Sequence, residues 1–105
     1  MNEALHRLEC IIVERRNASP DSSYVASLFA KGREKMAQKV GEEATETVIA
    51  ALSGDSARLT AEAADLLFHL MILLEDGGVS IADVVDELER REGVSGLVEK
   101  AARSE

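Results

Sequence analysis

Residues 31–74 read KGREKMAQKVGEEATETVIAALSGDSARLTAEAADLLFHLMILL, and this stretch predicts two helices joined by a turn at Ser53-Gly54-Asp55. Residues three and four apart share one face of a helix, so each helix gathers its acidic side chains on one side. Like charges at that spacing repel, and a divalent cation with oxygen ligands would offset the repulsion. The pattern therefore predicts a metal site, with Mg²⁺ as the expected ion and Mn²⁺ as the alternative. The acidic residues are Glu42, Glu43 and Glu46 in the first helix and Glu62 and Asp65 in the second.

The remaining hydrophobic periodicity extends this hairpin into an all-α fold of about five helices. Predicted helices cover residues 2–16, 24–30, 33–52 and 56–75, and a fifth begins after Ser80, buries a stripe that includes Leu88, and stops at Gly93. From Leu66 onward the fourth helix is apolar nearly all round, so it needs neighbours on every side. We therefore expect a four-helix-bundle-like core completed by dimerisation. One domain is predicted over residues 1–93, followed by a partly helical or disordered tail, 94–105, with a last turn within Leu97–Ala102.

Composition limits the classes of partner. The formal net charge of −8 argues against a nucleic-acid or membrane-surface binder, which would need a basic surface. The chain holds a single cysteine, Cys10, which fits a reducing compartment and is interpreted as a core residue. No signal peptide is recognised, and the longest apolar run is far shorter than the roughly 20 residues that span a bilayer. These observations predict a cytoplasmic protein.

Basic side chains accompany the acidic ones on both helices. At 100° per residue, Lys35 and Lys39 fall on the acidic stripe of the first long helix, and Arg58 falls on that of the second. In an antiparallel hairpin the two acidic groups would face each other at similar depth. Together with Lys31, these cations would attract phosphate groups to an otherwise repulsive acidic protein.

Simpler explanations exist for several of these residues. A single E-x-x-E on a helix is usually a solvated face, but two acidic pairs on consecutive helices are harder to explain in that way. His69 is interpreted as a hydrogen-bonded core or interface residue rather than a metal ligand. Gly41, inside the first long helix, indicates either close approach of a neighbouring helix or ligand, or a tolerated glycine.

The phrases Phe29-Ala30-Lys31-Gly32, Lys39-Val40-Gly41-Glu42-Glu43-Ala44-Thr45-Glu46-Thr47 and Glu62-Ala63-Ala64-Asp65 with His69 resemble the phosphoribosyl-ATP pyrophosphohydrolases of histidine biosynthesis, within the all-α NTP pyrophosphohydrolase (MazG-like) superfamily. The resemblance runs from about Leu5 to Arg91. Phe68 stands where that family commonly has tyrosine, which removes a hydroxyl but no metal ligand. Members are often fused to a cyclohydrolase domain; this sequence ends without one, so we expect the stand-alone form.

The resemblance implies hydrolysis of 1-(5-phosphoribosyl)-ATP to 1-(5-phosphoribosyl)-AMP and pyrophosphate by a helical homodimer. Two other functions are consistent with the residues. One is a housecleaning (d)NTP pyrophosphatase of the same superfamily, and the other is a non-catalytic acidic helical module that dimerises. The implied roles are metal ligands Glu43, Glu46, Glu62 and Asp65, catalytic residues Glu42, Glu43 and Glu46, and phosphate-binding residues Lys31, Lys35, Lys39 and Arg58.

Overall fold

The structure is a computed structural model, which describes residues 2–92, and over that range it is entirely helical. The helices are α1 (Glu3–Arg15), α2 (Tyr24–Lys31), α3 (Arg33–Ser53), α4 (Ser56–Asp76) and α5 (Ile81–Arg90). The predicted all-α fold of about five helices is confirmed, with boundaries within one or two residues. The predicted stop at Gly93 and the tail lie outside the described residues.

Local sequence signals explain where several helices begin and end. The Ser23 hydroxyl accepts a hydrogen bond from the Ala26 amide and caps α2, and Ser80 forms a reciprocal capping box with Asp83 at the start of α5. Gly54 ends α3 with a φ of 79°, a left-handed conformation that glycine adopts at little cost. Asp55 then caps α4 by accepting from the Ala57 and Arg58 amides.

The core lies where α1 and α2 pack against the α3–α4 hairpin, and α5 packs against α1. Its fully buried members are aliphatic or methionine side chains, which suits a chain with only three aromatic residues. They are Ile12, Leu28, Met36 and Ile72. On α4, His69, Met71 and Ile72 are buried, whereas Leu66, Leu67 and Leu70 are only half-buried, so this helix keeps part of its apolar surface accessible within one chain.

Two burial predictions are wrong. Cys10 is exposed on α1, where its sulfur lies 3.8 Å from Nε2 of His6 one turn away. Leu88 is 58% exposed. Burial along the apolar face of α5 decreases from Ile81, which is buried, through Val84 and Val85, which are half-buried, to Leu88. Periodicity identifies an apolar face but not how far the neighbouring helices extend along it. No helix within residues 2–92 is both long and apolar enough to cross a membrane.

Candidate metal and phosphate site

The tight turn between α3 and α4 brings their acidic stripes together. Only Gly54 and Asp55 separate the two helices, which therefore run antiparallel side by side. Thr47 fixes their relative height, because its hydroxyl lies 2.7 Å from the Glu43 carbonyl on its own helix and 3.2 Å from the Glu62 carbonyl on α4. A hydrogen bond across the hairpin thus lies at the level of the acidic residues.

Three of the predicted ligands converge. Carboxylate oxygens of Glu43, Glu62 and Asp65 all lie within 4.8 Å of one another, with Glu43 and Glu62 half-buried and Asp65 exposed. The pKa of Glu62 is raised, first by its partial burial and then by the negative charges of Glu46, Asp65 and Glu43, while Arg58 acts in the opposite direction. The cluster thus holds more negative charge than its protein neighbours balance.

The donor set fits a hard divalent cation. Carboxylate oxygens are the ligands that Mg²⁺ and Mn²⁺ prefer, and the cluster of three offers no sulfur or imidazole that would favour a softer metal. Glu46, the fourth predicted ligand, is exposed and lies outside the compact group, although its charge acts on Glu62.

Lys39 links the cluster to the neighbouring glutamate. Its ammonium nitrogen lies 3.3 Å from a carboxylate oxygen of Glu42 and 3.6 Å from one of Glu43. Glu42 also accepts a hydrogen bond from the Gln38 amide at 2.9 Å, and its pKa is lowered first by Gln38 and then by Lys39. Glu42 therefore pairs with Lys39 and Gln38. Glu43 contacts Lys39 and is also one of the three clustered carboxylates.

The other predicted phosphate-binding cations are arranged around this centre. Lys35, one turn before Lys39, helps to lower the pKa of Glu42, after the larger effects of Gln38 and Lys39. Arg58, near the start of α4, lies on the opposite side of the acidic group along the hairpin and acts on Glu62. Lys31 is the exposed last residue of α2, and no ion pair within residues 2–92 involves it. Cations thus flank the acids along α3 and α4.

His69 is buried and hydrogen-bonded through both ring nitrogens. Its Nδ1 lies 2.8 Å from the Asp65 carbonyl oxygen, and its Nε2 lies 2.8 Å from the Tyr24 hydroxyl. His69 was predicted to be a hydrogen-bonded core or interface residue, and its burial and both hydrogen bonds confirm this within one chain. Its partner Tyr24 was not predicted to be near the site, because the two residues are 45 positions apart and no local spacing relates them.

Two further features lie around the hairpin. A β-carbon placed on Gly41 would meet nothing within 4 Å, so no neighbouring helix within residues 2–92 approaches that glycine. An open cleft of about 280 Å³ lies between the α1–α2 loop, α2 and the end of α4, with Arg16, Phe29 and Asp76 in its lining. None of the predicted site residues lines this cleft, so the acidic cluster remains the candidate for chemistry.

Comparisons with known proteins agree on one family. The model of the phosphoribosyl-ATP pyrophosphohydrolase family matches residues 5–92. A protein from Rhizorhabdus wittichii is 64% identical over 103 residues, which cover 98% of this chain and 97% of the relative. One from Erythrobacter litoralis is 64% identical over 101 residues, covering 96% and 97%, and one from Novosphingobium aromaticivorans is 63% identical over 102 residues, covering 97% and 95%. All three are named phosphoribosyl-ATP pyrophosphatase. The acidic helical hairpin lies within the matched residues. This chain therefore belongs to the phosphoribosyl-ATP pyrophosphohydrolase family.

Proposed function

We propose that this protein hydrolyses 1-(5-phosphoribosyl)-ATP to 1-(5-phosphoribosyl)-AMP and pyrophosphate, the second step of histidine biosynthesis. The observation that carries the proposal is the convergence of Glu43, Glu62 and Asp65 on one hairpin, in a chain whose relatives bear the name of this activity. A cluster of carboxylates flanked by cations suits a substrate that arrives as a metal-bound polyphosphate.

Mg²⁺ is the expected metal, and Mn²⁺ is the alternative. Glu43, Glu62 and Asp65 would hold it, together with Glu46, whose charge acts on Glu62. The raised pKa of Glu62, caused by partial burial and by its acidic neighbours, supports a bound cation as the group that balances this charge. When bound, the metal neutralises charge on the phosphate oxygens and on the pyrophosphate that leaves.

The remaining residues would bind and orient the substrate. The pKa of Lys39 is raised, chiefly by its hydrogen bond to Glu42, so Lys39 carries its positive charge throughout the neutral range and can bind a phosphate oxygen. Lys31, Lys35 and Arg58 would hold further phosphate oxygens from the two sides of the cluster. Glu42, which pairs with Lys39, would act either as an outer partner of the metal ligands or as the residue that orients the attacking water.

We also infer a cytoplasmic homodimer. Val48, Ile49 and Leu52 near the end of α3 are 58%, 50% and 83% exposed, and a second copy would cover them. The cytoplasm provides the reducing conditions that suit the lone, exposed Cys10.

A substrate panel tests the proposed activity. Purified protein with Mg²⁺ is offered phosphoribosyl-ATP, dUTP, dCTP and ATP, and pyrophosphate release is followed. Preference for phosphoribosyl-ATP is expected, whereas preference for a deoxynucleotide would favour a housecleaning pyrophosphatase. Glu46→Gln should lower the rate by orders of magnitude with the fold intact, and Asp86→Asn, an exposed acid on α5, provides the matched control. If both variants retain the wild-type rate, Glu46 has no catalytic role.

A further inference from the structure

Tyr24 is the most accessible aromatic side chain of the chain and lies beside the acidic hairpin. It is 50% exposed, whereas Phe29 and Phe68 are more deeply buried. Its ring stacks on Phe68 of α4, with the centroids 6.4 Å apart and the planes at 21°. Its hydroxyl lies 2.8 Å from Nε2 of His69, whose Nδ1 lies 2.8 Å from the backbone carbonyl oxygen of Asp65 in the acidic cluster. One face of Tyr24 is therefore packed, and the rest is accessible beside the acidic cluster, to which His69 connects it.

His69 holds the Tyr24 hydroxyl in one orientation. Its Nδ1 faces the Asp65 carbonyl oxygen, which can only accept, so Nδ1 carries the hydrogen. With Nδ1 as the donor, Nε2 accepts the hydrogen of the Tyr24 hydroxyl over 2.8 Å. The ring of His69 is itself fixed, because it is buried and meets Phe68 edge-on with the centroids 5.3 Å apart. The Tyr24 hydroxyl thus donates its hydrogen to His69, and this hydrogen bond fixes its orientation.

A phenolic oxygen in this state can only accept further hydrogen bonds. Ionised phosphate oxygens are also acceptors, so they gain nothing from Tyr24 and bind to Lys39 instead. The hydrogen-bond donors of a nucleotide lie on its sugar and its base. The sugar is joined directly to the phosphate chain, and therefore a sugar hydroxyl is the donor closest to a phosphate held at the acidic cluster.

We propose that Tyr24 is a substrate-binding residue whose phenolic oxygen accepts a hydrogen bond from a sugar hydroxyl of the nucleotide, and that His69 is the positioning residue that orients it. This inference rests on the proposed function, because it takes phosphoribosyl-ATP as the substrate. It adds the first residue of α2 to the site, and it assigns recognition of the nucleoside part to a residue outside the acidic signature.

Steady-state kinetics of Tyr24→Phe test the contact. The KM for phosphoribosyl-ATP is expected to rise roughly 3- to 10-fold, as for the loss of one neutral hydrogen bond, with kcat within about two-fold of wild type. Inhibition by pyrophosphate, which has no sugar, should keep its Ki. Ser27→Ala is the matched control, because it removes another hydroxyl of α2, one that is bonded to the Tyr24 carbonyl, and it should leave KM unchanged.

Variants of His69 test the positioning role. His69→Phe keeps a ring without an acceptor, so KM should rise as in Tyr24→Phe, and the double variant should show no further increase. His69→Gln supplies a side-chain oxygen near the former Nε2 position and should restore most of the affinity. Thermal melts with and without Mg²⁺ on each variant separate a lost contact from a damaged fold or metal site.

Three outcomes would overturn the inference. An unchanged KM in Tyr24→Phe would exclude the contact, and a parallel weakening of pyrophosphate inhibition would assign Tyr24 to the phosphate groups instead. Additive effects in the double variant would exclude the positioning role of His69. Failure of the proposed function gives a different result, since the wild-type protein would then not hydrolyse phosphoribosyl-ATP at all.

Discussion

Replacing Glu62 with glutamine should raise the Tm of the metal-free protein and reduce the further rise in Tm that a bound cation causes. The pKa of Glu62 is raised in the folded chain, first by partial burial and then by Glu46, Asp65 and Glu43, so ionisation of this side chain is harder in the folded than in the unfolded state. At neutral pH its charge therefore lowers the stability of the metal-free protein. Glutamine removes that charge, and the metal-free Tm should rise.

The metal-dependent shift should fall in the same variant. A cation present at 100 times its Kd stabilises the wild-type fold by about 2.7 kcal/mol, which corresponds to a rise of about 11–22 °C in Tm for a domain of this size. Loss of a ligand is expected to weaken binding at least as much as the ~10–100-fold that follows loss of an outer partner. At the same concentration the cation would then contribute about 0.4–1.4 kcal/mol, or about 2–11 °C.

Circular dichroism melts of chelator-treated protein measure both shifts. Mg²⁺ is titrated at constant ionic strength and constant protein concentration, because salt screening and self-association also change Tm. Asp86→Asn, on α5, removes an exposed charge away from the hairpin and should behave like the wild type in both conditions. A lower metal-free Tm in Glu62→Gln, or a metal-dependent rise equal to that of the wild type, would refute the assignment of Glu62 to a cation site.

Three further predictions concern stability and assembly. Ile72→Ala, at a fully buried position of α4, should lower the free energy of unfolding by about 2–5 kcal/mol in urea titrations. The pKa of Glu87 is lowered to about 2, first by Arg90 and then by Arg91, so its stabilising effect should be lost as pH falls from about 4.5 towards 2, and urea midpoints of Glu87→Gln should change less over that window. Leu52→Asp should convert the proposed dimer to monomers in light scattering, and a monomeric wild type would contradict that proposal.

Features that depend on residues close in sequence were predictable. The helices, the serine caps and the left-handed Gly54 follow from periodicity and local backbone preferences, and the acidic residues were expected to meet because a short turn leaves an antiparallel hairpin as the simple arrangement. The convergence of Glu43, Glu62 and Asp65 follows from this reasoning.

Features that depend on distant residues were not predictable in the same way. Burial of Leu88 was expected from its place on an apolar stripe, but exposure depends on which helices pack nearby. The hydrogen bond between Tyr24 and His69 joins α2 to α4 across 45 positions, so no periodicity indicates it. Likewise, spacing places Glu46 on the acidic face without showing that its side chain lies outside the compact group.

The two-residue turn between α3 and α4 has a consequence for how this chain can vary in length. Each residue inserted between Asp55 and Glu62 would rotate the following acids by about 100° and advance them by about 1.5 Å, which turns Glu62 and Asp65 away from Glu43. Four residues would restore the facing side to within about 40° but displace the acids by about 6 Å, more than the 4.8 Å within which the carboxylate oxygens now lie. A change in residue number between Asp55 and Glu62 would therefore separate the acids even if both helices stayed intact.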